Sequence, residues 1–110
     1  MDANELRIGN WVKEEDGRFV YIHDTLGIDH HSQFHPIPLT PEILEKAGFE
    51  KDEDFEGRFH HVNKIVTVEF EDGIIRWMDN TYIYHQEIKH LHKLQNLYFA
   101  IIGDELEINL

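Results

Sequence analysis

From His85 to Ile102 the apolar residues recur at helical spacing, and they cover more of a helix than one buried face needs. With each residue turned about 100° from the last, Leu97, Ile101, Leu94, Tyr98, Leu91, Ile102, Ile88 and Phe99 fill an arc of roughly 200°. Lys89, His92, Lys93, Asn96 and Ala100 remain for the polar strip. This loading predicts a long C-terminal helix, about 86–102, packed across a sheet and covered on a second side by another element or a partner chain. His90 and Gln95 fall inside the apolar arc, so each is expected to hydrogen-bond to backbone or to another polar group.

Ahead of that helix the pattern changes to alternation. Lys64 to Glu71, the turn Asp72-Gly73, and Ile74 to Met78 read as an antiparallel hairpin. A two-residue turn sets Phe70 against Ile75 and Val68 against Trp77 on an apolar face, with Glu69 against Arg76 on the other. Thr81 to Tyr84 supplies a third strand, and Leu106 to Leu110, after Gly103 has ended the helix, alternates as a last edge strand. Near the start, Asp16-Gly17 joins two short strands, Leu6 to Val12 and Arg18 to His23, and Leu26 to Phe34 is read as one more. The Gly-Asn-Trp-Val run before the first turn resembles the opening of SH3-like small barrels.

Between the two β regions, Thr40 to Phe49 reads as a complete short helix, 41–47. Thr40 stands at the N-cap, Pro41 at the first helical position, Glu42 at the positive end of the dipole, and Gly48 past the end. The fold class expected is therefore α+β. It comprises a small N-terminal β-meander or SH3-like partial barrel, a short helix, an antiparallel hairpin sheet, and the long C-terminal helix packed on that sheet. Residues 1–110 are expected to form a single domain, with the acidic stretch 50–57 as a mobile loop parting its two halves.

Charge narrows the partners. Twenty-two acidic against ten basic residues give a formal charge of -12, which repels phosphate backbones and suits a basic or neutral partner. A rival within the binding class is an acidic nucleic-acid mimic that occupies the groove of a DNA-binding host protein. That reading needs carboxylates spaced like phosphates across one face, whereas here several segments share them. Met1 to Glu5 lacks the basic and apolar run of a signal peptide, and no apolar stretch reaches membrane-spanning length. The expected location is cytoplasmic.

Catalytic candidates are few. Cysteine is absent, Ser32 is the only serine, and no phosphate loop, nucleophile elbow or His-Glu-x-x-His is present. Nine histidines offer a pH lever, and His30, His31 and His35 could hold zinc or nickel. However, Gly27, Pro36 and Pro38 disfavour the helix that would bring His31 and His35 onto one face. A metal-binding protein or enzyme built on these histidines is thus an alternative, and the leading expectation carries no cofactor, metal or small-molecule ligand. Trp11, Trp77, Tyr82, Tyr84 and Phe99 could make an aromatic surface. Trp11, His90, Gln95 and Leu97 are the binding candidates.

Three segments carry a resemblance: Glu5 to Val12, Pro36 to Leu44 with Gly48-Phe49, and His92 to Ala100 with Gly103 to Leu106. Together, in this order, they resemble a family of small uncharacterised proteins of bacterial prophages and integrated mobile elements, especially of gut anaerobes. The family brings no activity, and its motifs imply a shared fold. The function expected is a non-enzymatic accessory protein that binds a protein partner or self-associates.

Overall fold

The computed structural model describes residues 1, 3–81 and 83–110. Along the chain run β1 (Trp11–Lys13), β2 (Phe19–Tyr21), α1 (Thr25–Asp29), α2 (Pro41–Lys46), β3 (Phe49–Lys51), β4 (Arg58–His61), β5 (Thr67–Glu71), β6 (Ile74–Met78), β7 (Tyr84–Glu87) and α3 (Leu91–Ile102). Single 3-10 turns lie at Ala3–Glu5 and His31–Gln33. This is an α+β chain with two antiparallel sheets, and it gathers into two compact units. One holds Met1–Leu39 and His90–Leu106, the other Thr40–Lys89 and Glu107–Leu110. The acidic stretch 50–57 marks no boundary between halves; it ends β3 and turns into β4 inside the second unit.

In the first unit β1 and β2 pair with Trp11 opposite Tyr21, Val12 opposite Val20 and Lys13 opposite Phe19, so that Asp16-Gly17 belongs to a three-residue loop, Glu15 to Gly17, in place of a two-residue turn. The sheet stops at two strands. The segment Leu26 to Phe34, expected to add a third, forms α1 and a 3-10 turn, so the N-terminal meander or partial barrel reduces to a hairpin. Asp24 and Thr25 supply residues that favour helix starts, and they outweigh a weak alternation. Leu6, Val12, Ile22 and Phe34 close the core under the hairpin, with Val20 and Ile28 partly buried against them.

Helix α3 begins at Leu91, five residues later than the expected 86. Tyr84–Glu87 is drawn instead into the sheet, where Glu87 pairs with Arg76, Tyr84 pairs with Met78 and the Ile88 amide donates to the Ile75 carbonyl at 2.8 Å. The third strand expected over Thr81 to Tyr84 is thus displaced toward the helix; Tyr82 lies outside the described residues, as does the side chain of Tyr84. Helix α3 packs in the first unit against β1, while the Asp72-Gly73 hairpin belongs to the second. Its buried stripe is Leu91, His92, Leu94, Gln95 and Tyr98, the i, i+3, i+4, i+7 face with His92 beside it. Leu97 is half-buried, and Phe99 and Ile101 remain 41% and 38% exposed, so only part of the wide apolar arc is covered. His92, expected on the polar strip, is buried.

The second unit is a five-stranded sheet in the order β3-β4-β5-β6-β7, every neighbour antiparallel. The expected register of the Asp72-Gly73 hairpin holds at all three pairs. Phe49, Phe59, Val66 and Val68 are buried on the face that carries the apolar alternation, and Ile43, Leu44 and Ala47 of the α2 segment are buried with them. Helix α2 is capped as the sequence predicts: Thr40 Oγ1 accepts from the Ile43 amide at 3.2 Å. Leu106 to Leu110 forms no strand, because a single bond from the Asn109 amide to the Lys46 carbonyl replaces the ladder.

Gly57 is the tightest point of this sheet. Its carbonyl accepts from the Phe70 amide at 2.8 Å, its φ is +81°, and a Cβ there would stand 2.6 Å from the Phe70 carbonyl oxygen. Gly57→Ala is therefore predicted to cost about 2 kcal/mol or more in urea unfolding. A loss under about 0.5 kcal/mol would show that the hairpin tolerates a side chain here.

Candidate interaction surface

Strand alternation places Val12 and Val20 on the core side of the first hairpin, and Trp11, Lys13, Phe19 and Tyr21 on the other. Phe19 and Tyr21 are 44% and 36% exposed, and Trp11 is half-buried. The Trp11 and Tyr21 rings meet edge-on at 5.4 Å, and the Tyr21 and His23 rings at 5.0 Å. Three aromatic side chains and a histidine thus line the outer side of a sheet only two strands wide. Of the residues first considered for an aromatic surface, Trp11 belongs to it. Trp77 does not: it stacks on His85 at 4.2 Å in the second unit.

The hairpin is held from α3. Gln95, 1% exposed, accepts the Trp11 amide on Oε1 at 2.8 Å and donates from Nε2 to the Gly9 carbonyl at 2.9 Å. Next to it, Asn96 Oδ1 accepts from Asn10 Nδ2 at 2.8 Å and from Arg7 Nε at 3.0 Å, while Asn96 Nδ2 donates to the Glu5 carbonyl. The Arg7 guanidinium also pairs with the Glu105 carboxylate and lies 4.5 Å from the Phe99 ring centre. Gln95 therefore makes the backbone bonds expected of a buried polar residue. Truncation would strand a buried donor and a buried acceptor, so Gln95→Leu is predicted to lose about 3 kcal/mol in urea unfolding. A loss below about 1 kcal/mol would mean that water or a shifted backbone replaces both bonds.

His90 stands at the N-cap position of α3, where its carbonyl accepts from the Leu94 amide, and its ring lies parallel to the His92 ring at 6.0 Å. His92 is 1% exposed, and neither ring nitrogen has a hydrogen-bond partner among the described residues; the Glu5 carboxylate lies 3.9 Å from Nε2. Burial pushes its pKa from 6.5 down to about 4, against the smaller pull of Glu5. Between those values the unfolded chain binds more protons than the fold, so stability is full above pH 6.5 and drains as pH falls toward 4. His92→Leu is predicted to remove roughly 2 to 3 kcal/mol of that acid-side loss. Urea midpoints measured at pH 7 and pH 4.5 check it, and an unchanged difference between them would contradict it.

The loop histidines disperse. His31 Nδ1 bonds to the Met1 carbonyl at 2.6 Å and His35 Nε2 to Glu15 at 2.7 Å. Among the described residues no group of three or more histidine or acidic side chains is placed to hold a metal ion. In the second unit the adjacent His60 and His61 point to opposite faces, as their neighbouring strand positions require. His61 is buried edge-on against Phe49, and burial lowers its pKa. His60 bridges Asp52 at 2.5 Å and Thr67 Oγ1 at 2.8 Å, and its hydrogen bond holds the Asp52 carboxyl down to about 2.

That row of acid, imidazole and hydroxyl escapes sequence reading because Asp52 lies just past β3, His60 on β4 and Thr67 on β5. It has the partners of a proton relay: Asp52 lines a cleft of about 530 Å³ and His60 one of about 380 Å³, while Thr67 is 3% exposed. The larger cleft is lined by Lys51 to Phe59, Pro41 and Phe70. Asp52 there also caps the Asp54 and Phe55 amides, so this acid is spent on the turn of the loop. Comparison with protein-family models, curated proteins and solved structures finds no match.

Proposed function

We propose that this protein is a non-enzymatic accessory protein of a mobile element that binds a protein partner, or a second copy of itself, through the outer face of its first hairpin. The observation that carries the reading is the exposure of Phe19 and Tyr21 beside Trp11 on a sheet held along its β1 edge by Gln95. Rigid aromatic side chains give large contact area at small entropic cost, which is why they concentrate at binding surfaces. Leu97, half-buried on α3, serves the helix packing more than this face. The net charge of -12 adds a preference for cationic surroundings and slows approach to phosphate backbones.

The double variant Phe19→Ser, Tyr21→Ser tests it. Both positions are exposed, so unfolding free energy should change by no more than about 1 kcal/mol in all. Association, measured as self-association by sedimentation and as stoichiometric capture from host lysate, should fall at least tenfold. Association unchanged in the double variant would overturn the reading.

A further inference from the structure

The pairing geometry separates the two edges of the first hairpin. In an antiparallel pair, residues alternate between those whose backbone groups face the partner strand and those whose groups face away. The Ile22 amide donates to Asn10 and the Glu14 amide to Arg18, so Asn10/Ile22, Val12/Val20 and Glu14/Arg18 are the inward pairs. Trp11, Lys13, Phe19 and Tyr21 consequently turn their backbone groups outward. On the β1 side those groups are taken: Trp11 by Gln95, and Lys13 by two bonds with His35 at 2.9 and 2.8 Å. On the β2 side the groups of Phe19 and Tyr21 face out from a strand that has no second neighbour among the described residues.

The chain treats its other sheet edges differently. β3 carries Glu50 and Lys51, and β7 carries Gln86 and Glu87, the polar residues that discourage pairing with a further strand. β2 is Phe19-Val20-Tyr21, with no charge at all. We infer that β2 is a docking edge that accepts an extended, basic segment of a partner protein as a third strand, an inference that rests on the interaction reading above. Such a strand would exchange backbone bonds with Phe19 and Tyr21 and lay alternate side chains beside their rings.

The charge of the occupant follows from the unit it joins. That unit holds nine acidic against four basic residues, and Arg7, Arg18 and Lys93 already answer Glu105, Glu14 with Asp16, and Glu5. Asp16 and Asp24 bracket β2 in the chain, with Arg18 between Asp16 and Phe19 already paired to Glu14 and Asp16. A second copy brings the same -12 charge and is repelled.

The test uses the full chain and three decapeptides: alternating lysine and valine, the same peptide N-methylated at every second amide, and alternating glutamate and valine. Backbone amide resonances are followed by NMR. The lysine peptide should shift Phe19 and Tyr21 most, and N-methylation or glutamate should weaken binding at least tenfold. No shift at Phe19 and Tyr21, or equal binding of the glutamate peptide, overturns the proposal. If the N-methylated peptide binds as well and the double serine variant abolishes its binding, the edge proposal falls while the aromatic-face reading stands. If peptide binding survives in that variant without shifts at β2, both fall.

Discussion

One side-chain amide sets the geometry of the first unit. Gln95 is carried on the buried stripe of α3, and its two ends are spent on the Trp11 amide and the Gly9 carbonyl. A buried amide cannot leave either end unanswered without a penalty of about 1 to 3 kcal/mol, a sizeable part of the margin of a small domain. It therefore holds the hairpin to the helix at one place and in one register. The Asn96, Asn10 and Arg7 bonds extend the same clamp by one residue in both directions. The β1 edge is closed by this clamp and by His35, and with the core beneath Val12 filled, the aromatic side and the β2 edge are what the unit leaves open.

The second unit uses polar groups in another way. On the face of its sheet opposite the apolar one, Glu69 takes the Arg58 guanidinium at 2.7 Å, and His60 links Asp52 to Thr67. Arg58 in turn lies 4.3 Å from the Phe55 ring centre. These contacts tie the acidic loop to β4 and β5, so a stretch that reads as mobile is pinned at Asp52 and Arg58. They are satisfied within the sheet itself, which is why this unit offers the weaker case for a binding face.

Much of the fold was legible because it rests on local rules. The Asp72-Gly73 turn fixes its strand register directly, whereas Asp16-Gly17 locates a hairpin but not its register, and Thr40-Pro41 with Gly48 brackets a helix. Periodicity misled where one pattern served two elements. Ile88 fits the helical arc of α3, yet its amide belongs to the edge of the sheet, and a run read as one long helix is a strand followed by a shorter helix. Glu69 stands opposite Arg76 as the hairpin rule sets it, and β4 also brings Arg58 opposite Glu69 from the other side, a neighbour that no hairpin rule reports. Gln95 was visible as a buried polar residue in need of partners, but which partners, and whether Trp11 turned inward or outward, depended on long-range pairing.

Amide hydrogen exchange along the first hairpin measures the clamp and the open edge together. The account predicts protected amides at Trp11, Val12, Lys13 and Val20, and fast exchange at Phe19 and Tyr21. Phe19 and Tyr21 protected as strongly as Val20, or Trp11 exchanging as fast as they do, would contradict it.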